Sequence, residues 1–203
     1  MSKYEKQSIK KYDSVAANYD QTMDGRFTAK FKQKMLELCE VSDGDDVLDV
    51  GCGNGSLIHA ISKKADIQAH GVDISPKMIE ECKARYDGIY FEVSNGEILN
   101  FEDESLDAVT ICCVLHHLDN PQSFMREAHR LLKQGGILLI GEPKFPLIIR
   151  KLFDWIISPL MKAGDNKLFS HKRLKRLIID GGFEIVEIHK KGFMQTIKAR
   201  KVC

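Results

Sequence analysis

At 203 residues, with 43% hydrophobic and 29% charged side chains, the chain has an ordinary globular composition and the length to bury one core. Its net charge of +1 gives no whole-molecule argument for nucleic-acid binding. No uncharged stretch approaches the ~20 residues needed to cross a bilayer. The start, Met-Ser-Lys-Tyr-Glu-Lys, lacks an apolar signal core, so a cytoplasmic protein is expected.

Periodicity predicts amphipathic helices over 5–17 and 27–39, the second through Phe27, Phe31, Met35, Leu36 and Cys39. Strands are predicted at 46–50, 66–72, 89–93, 107–113 and 136–141, with helices between them at about 56–63, 76–86 and 121–133. Ser75-Pro76 and Asn120-Pro121 read as helix starts, since a small polar side chain can cap and proline fits the first helical position. Gly135-Gly136 reads as the stop of the helix opened at Pro121. Strands separated by single helices imply right-handed crossovers and a parallel sheet. Residues 145–161 are apolar on more than one helical face, through Leu147, Ile148, Leu152, Phe153, Trp155 and Ile156. They fit a lid over the sheet, a dimer contact or an interfacial helix touching a membrane surface. A helix at 170–180, capped by Ser170 and stopped by Gly181, then precedes two strand-like runs, 183–189 and 193–200. Their short link, Lys190-Lys191-Gly192, requires an antiparallel hairpin.

Charge is unevenly spread. From Pro143 to Cys203 there are 14 Lys and Arg against 5 Asp and Glu, a local +9. This basic tail fits a solvated surface, or a face for an anionic substrate or membrane surface. The six cysteines, at 39, 52, 82, 112, 113 and 203, show no zinc spacing, and no metal site is expected. They read as small buried hydrophobes, with the adjacent Cys112 and Cys113 on opposite faces of a strand.

The chemistry is concentrated in Val47-Leu48-Asp49-Val50-Gly51-Cys52-Gly53-Asn54-Gly55-Ser56, a buried strand ending in a glycine turn. Glycine lets backbone turn sharply and lets a ligand approach it. A pyrophosphate site wants Gly-x-Gly-x-x-Gly. Here the third glycine comes one residue early, and Asp49 would repel phosphate but attract an ammonium group. At the end of the next strand, Asp73 lies 22 positions after Gly51, near the interval at which an acid meets ribose hydroxyls. After the third strand, Asn95 and Gly96 can present an amide and a backbone N–H to an adenine edge.

In this order the segments Val47–Ser56, Gly71–Met78, Ser94–Asp107, Val114–Pro121 and Leu131–Pro143 resemble the class I S-adenosylmethionine-dependent methyltransferases. The resemblance is to the small-molecule members and covers most of 45–143. It implies a Rossmann-like, doubly wound, mostly parallel sheet of seven strands with an antiparallel C-terminal strand and helices on both faces. The whole of 1–203 would then be one domain, with 1–40 as a helical cover and 145–169 as a helical lid insertion. It also implies S-adenosylmethionine as cofactor, S-adenosylhomocysteine as product and the following roles. Gly51, Cys52 and Gly53 pass under the methionine moiety, with Asp49 ordering the loop or holding the amino group. Asp73 takes the ribose hydroxyls, Ile74 and Met78 sandwich adenine, Asn95 and Gly96 read its edge, and Cys112 contributes backbone. Asn95 departs from the acid that relatives often carry there.

On the acceptor side the candidates are His116 and His117 after the fourth strand, Tyr12 and Tyr19 from the N-terminal cover, and Glu142. An apolar lid suggests a hydrophobic or aromatic small-molecule acceptor, quinone-like or lipid-like. Nucleic acid is not expected, because the chain shows no RNA-binding module and no Asn/Asp-Pro-Pro-Tyr/Phe signature. A monomer or a homodimer is expected. The alternatives are a noncatalytic S-adenosylmethionine-binding protein and a nucleotide-dependent oxidoreductase.

Overall fold

The computed structural model describes residues 1–144 and 169–202. The apolar segment 145–161, and nearly all of the lid expected at 145–169, lie outside the described residues.

Two helices come first. α1 (Lys3–Val15) opens on a capping box: the Ser2 side chain accepts the Glu5 N–H, and the Glu5 carboxylate accepts the Ser2 N–H. A 3-10 turn (Ala16–Gln21) leads to α2 (Met23–Leu38), which starts four residues earlier than periodicity suggests because Thr22 caps it. Then strands and helices alternate: β1 (Asp46–Val50), α3 (Ser56–Ser62), β2 (Gln68–Asp73), α4 (Pro76–Arg85) and β3 (Ile89–Val93). β4 (Leu106–Cys112), α5 (Pro121–Leu131), β5 (Leu132–Pro143), α6 (His171–Asp180), β6 (Phe183–Lys191) and β7 (Met194–Lys201) complete the described elements. The predicted caps form: Ser75 accepts the Met78 N–H at 3.2 Å, Asn120 accepts the Gln122 N–H at 3.2 Å, and Ser170 accepts the Arg173 N–H at 3.1 Å.

The described residues make a seven-stranded sheet in the order β3-β2-β1-β4-β5-β7-β6. β1 through β5 pair in parallel, and β7 runs antiparallel to both β5 and β6. Side chains alternate across it as the period of two requires. Leu48, Val50, Val109 and Ile111 meet α5 and α6 through Phe124, Met125, Leu174 and Ile178. On the other face, Val47, Ala69, Ala108 and Leu139 meet α2, α3 and α4 through Phe31, Met35, Ile58 and Ile79. Both faces are covered, and the open ground is left at the carboxyl ends of the strands.

Two local expectations are corrected. Gly135-Gly136 does not stop a helix: α5 ends at Leu131 and β5 begins at once. Pairing jumps from Leu106↔Leu132 to Ala108↔Ile137, so the glycines sit in a bulge, where Gly135 has φ 77°. Cys113 is not on the strand either. Its φ of 57° breaks the alternation, so Cys112 and Cys113 do not point to opposite faces but line one cavity.

Candidate functional site

That cavity lies at the carboxyl ends of β1, β2, β3 and β4, with an empty volume of about 860 Å³ including its mouth. Its floor is the glycine turn. Gly51 has φ 67°, and a Cβ there would come within 2.3 Å of Val114, so the turn needs glycine for both conformation and space. A Cβ on Gly53 would meet nothing closer than Tyr19 Cε1 at 4.0 Å, so its surface faces open room.

Asp73 closes one side. Its Oδ2 accepts the Gly53 N–H at 2.8 Å and its Oδ1 accepts the Ser75 N–H at 2.9 Å, which ties the turn after β1 to the start of α4. Burial raises its pKa, against these backbone bonds. Each oxygen keeps a further lone-pair direction. Asp49 lies deeper, 1% exposed, and does not line the cavity. Thr110 donates to it at 2.6 Å, and burial pushes its pKa up to about 6.

The wall opposite holds the predicted acceptor-side residues, divided into two kinds. His117 lines the cavity, and its Nε2 is 3.1 Å from the Tyr12 hydroxyl on α1. His116 does not line it. Its Nδ1 donates to Glu142 Oε2 at 2.9 Å, while Oε1 of the same buried carboxylate accepts the Leu115 N–H at 2.9 Å. Glu142 is therefore a brace beneath the loop and not a wall of the opening expected for it. Tyr19 lines the cavity, and burial holds its phenol well above the ordinary value, so it stays protonated near neutral pH.

Of the other predicted residues, Gly51, Cys52, Gly53, Ile74, Met78, Asn95, Gly96 and Cys112 all reach the cavity with Asp73. Two groups expected to read a purine edge are already bonded: Asn95 Oδ1 accepts the Glu97 N–H at 3.1 Å, and the Gly96 N–H donates to Ser94 Oγ at 3.2 Å. Sequence reasoning missed Lys32, which lines the cavity from α2 and donates to Asn54 Oδ1 and Ser56 Oγ, both at 2.9 Å. It also missed Glu5 and Ser8 from α1. A lysine or glutamate on an amphipathic helix reads as solvated surface, and only the docking of that helix over the strand ends gives it a site. Among the described residues no cluster of three or more His, Cys, Asp or Glu could hold a metal ion. Among them, too, no helix is long and apolar enough to cross a membrane.

The methyltransferase domain model matches residues 48–140, the stretch that builds the cavity floor and the β4 wall. A ubiquinone/menaquinone biosynthesis C-methyltransferase of Hydrogenovibrio crunogenus is 31% identical, over 87% of this chain and 81% of its own length. The chain belongs to the class I S-adenosylmethionine-dependent methyltransferase family. A demethylmenaquinone methyltransferase of Tropheryma whipplei is 33% identical over 68% of this chain and 59% of its own length. Among solved structures, the methyltransferase partner in a complex with a Haloferax volcanii methyltransferase activator superposes with TM-score 0.82 at 20% identity. That match covers 95% of this chain and 98% of the other, and shows a shared fold. The chain spans 59% of the length of this Tropheryma whipplei relative and 48% of that of an uncharacterized transposon protein of Streptomyces fradiae that it also matches, so it corresponds to part of them.

Proposed function

We propose that this methyltransferase-family chain transfers a methyl group from S-adenosylmethionine to a small hydrophobic or aromatic acceptor. The observation that carries the reading is the single cavity in which the glycine turn, Asp73 and the Tyr12–His117 pair face one another. The donor set fits the cofactor. Gly53 leaves room for close approach of the methionine moiety, and Lys32 offers a cation to its carboxylate. Asp73 offers acceptor directions to the ribose hydroxyls, and Ile74 and Met78 offer apolar surface to the base. When bound, S-adenosylmethionine supplies a methyl already activated by its sulfonium, for in-line displacement by an acceptor atom aligned at about 3–3.5 Å.

On this reading the chain's own work is binding, alignment and exclusion of water. Protonated Tyr19 orients but takes no proton, and His117, held by Tyr12, is the group able to receive one from an acceptor that arrives protonated. The names of the two quinone-pathway relatives support a quinone-like acceptor. Five free, buried cysteines among the described residues support a reducing compartment such as the cytoplasm.

Titration calorimetry with S-adenosylmethionine and, separately, NADH tests the cofactor. Binding of the first alone is expected, and Asp73→Ala should weaken it by about 1–3 kcal/mol as charged hydrogen bonds are lost. Binding of NADH instead would replace this reading with the oxidoreductase one. Reduced naphthoquinones then form the first acceptor panel.

A further inference from the structure

The cavity contains a carboxylate that the strand ends do not supply. Glu5 belongs to α1, ninety positions before the turn that follows β3, yet its Oε1 accepts from Asn95 Nδ2 at 3.2 Å and both residues line the cavity. Asn95 is engaged at both ends: one of the two acceptor directions of its Oδ1 takes the Glu97 N–H, and its amide nitrogen can only donate, here to Glu5. Glu5 is different. A carboxylate has about four acceptor sites, and this one is engaged by the Ser2 N–H on Oε2, which also faces the Met1 ammonium at 3.9 Å, and by Asn95 on Oε1. The remaining directions are acceptor-only, on a side chain 17% exposed and held at both oxygens.

We propose that Glu5 is the specificity-determining residue for the cofactor's base, accepting from the 6-amino group of adenine once α1 is docked. The inference rests on the cofactor reading above and deepens it. Neither the strand ends nor the β3 turn then completes the purine site: the N-terminal helix does, through one carboxylate. A 6-amino purine presents a donor to Glu5. A 6-oxo purine presents a carbonyl oxygen, and two acceptors face each other with no proton between them, an arrangement that sites built around a hydrogen bond reject.

The test compares S-adenosylhomocysteine with its 6-oxo analogue, S-inosylhomocysteine, by calorimetry on wild type, Glu5→Gln and Ser2→Ala. Glutamine also serves at the third position of a capping box, so Glu5→Gln keeps the helix start while its amide can donate to a 6-oxo group. Ser2→Ala weakens the cap and keeps the carboxylate. Wild type is expected to prefer the 6-amino ligand at least about tenfold, and Glu5→Gln to bring that ratio to within about threefold, as expected when a charged acceptor is replaced. Ser2→Ala should lower both affinities together and leave the ratio at its wild-type value. A wild-type ratio in Glu5→Gln, with S-adenosylhomocysteine still bound, overturns the assignment of Glu5 alone. Failure of wild type to bind S-adenosylhomocysteine overturns the cofactor reading and the assignment with it.

Discussion

Asp49 illustrates what one buried carboxylate does to a methyltransferase fold. It is 1% exposed with one strong donor, Thr110 at 2.6 Å, and burial lifts its pKa to about 6. In the unfolded chain an aspartate titrates near 3.9. Between these two values the folded state holds a proton that the unfolded state has lost, so stability falls as pH rises from about 4 to about 6 and is flat above. A gap of about two pH units corresponds to roughly 3 kcal/mol. Asp49→Asn keeps an acceptor for Thr110 and removes the titration. The variant should lose this slope and be more stable than wild type at pH 7, as urea unfolding at pH 4, 5, 6 and 7 would show. An unchanged slope would assign it to other groups. The counterpart in function is that Asp49 lies under the turn, and any effect it has on a ligand passes through that backbone.

At the scale of elements, the loop between β4 and α5 places two adjacent histidines in unlike surroundings. His116 is pinned to Glu142 together with the Leu115 N–H, so it holds the loop to β5. His117 meets Tyr12 across the cavity. Alanine substitutions should therefore separate. His116→Ala leaves a buried carboxylate short of a partner and should cost about 1–3 kcal/mol of stability. His117→Ala should leave thermal stability and cofactor affinity nearly unchanged and lower kcat. Thermal melts with calorimetry and single-turnover rates read both, and equal loss of stability in the two variants would refute the division.

The same elements show what the sequence carries. The strand–helix alternation, the parallel pairing it implies and the antiparallel terminal hairpin are legible from apolar runs and short links, and the caps at Ser75, Asn120 and Ser170 appear as expected. Boundaries at backbone irregularities are not legible. Cys113 and Gly135 take positive φ where the residue pattern continues a strand or a helix stop. On the site, glycines and acids at strand ends stood out because strand ends are where ligands of such sheets bind. Glu5 and Lys32 did not, since their role depends on helices that fold over from the N-terminus.

Taken as a whole, the molecule divides into a sheet with both faces covered and an N-terminal helix that completes a cavity. α1 has one buried residue, Ser8, and meets the strand-end loops and the start of α4 through polar side-chain contacts. They include Glu5–Asn95, Tyr12–His117, and Asp13 accepting from the Ser75 hydroxyl at 2.6 Å and the Lys77 N–H at 3.3 Å. With so little apolar burial, α1 belongs to the low end of local stability, and its amides should exchange through openings that leave the sheet intact. Because Glu5, Ser8 and Tyr12 line the cavity, a ligand bound there must be released or exposed when α1 opens. S-adenosylmethionine at one hundred times its Kd adds about 2.7 kcal/mol to any opening that releases it. Amides of Lys3–Val15 should then exchange up to about a hundredfold more slowly, while local openings of α6, which does not line the cavity, keep their rates. Hydrogen exchange followed by mass spectrometry, with and without cofactor, measures the contrast. Unchanged exchange in α1 under saturation would mean that cofactor enters and leaves beneath a closed helix, and the cavity would need another door.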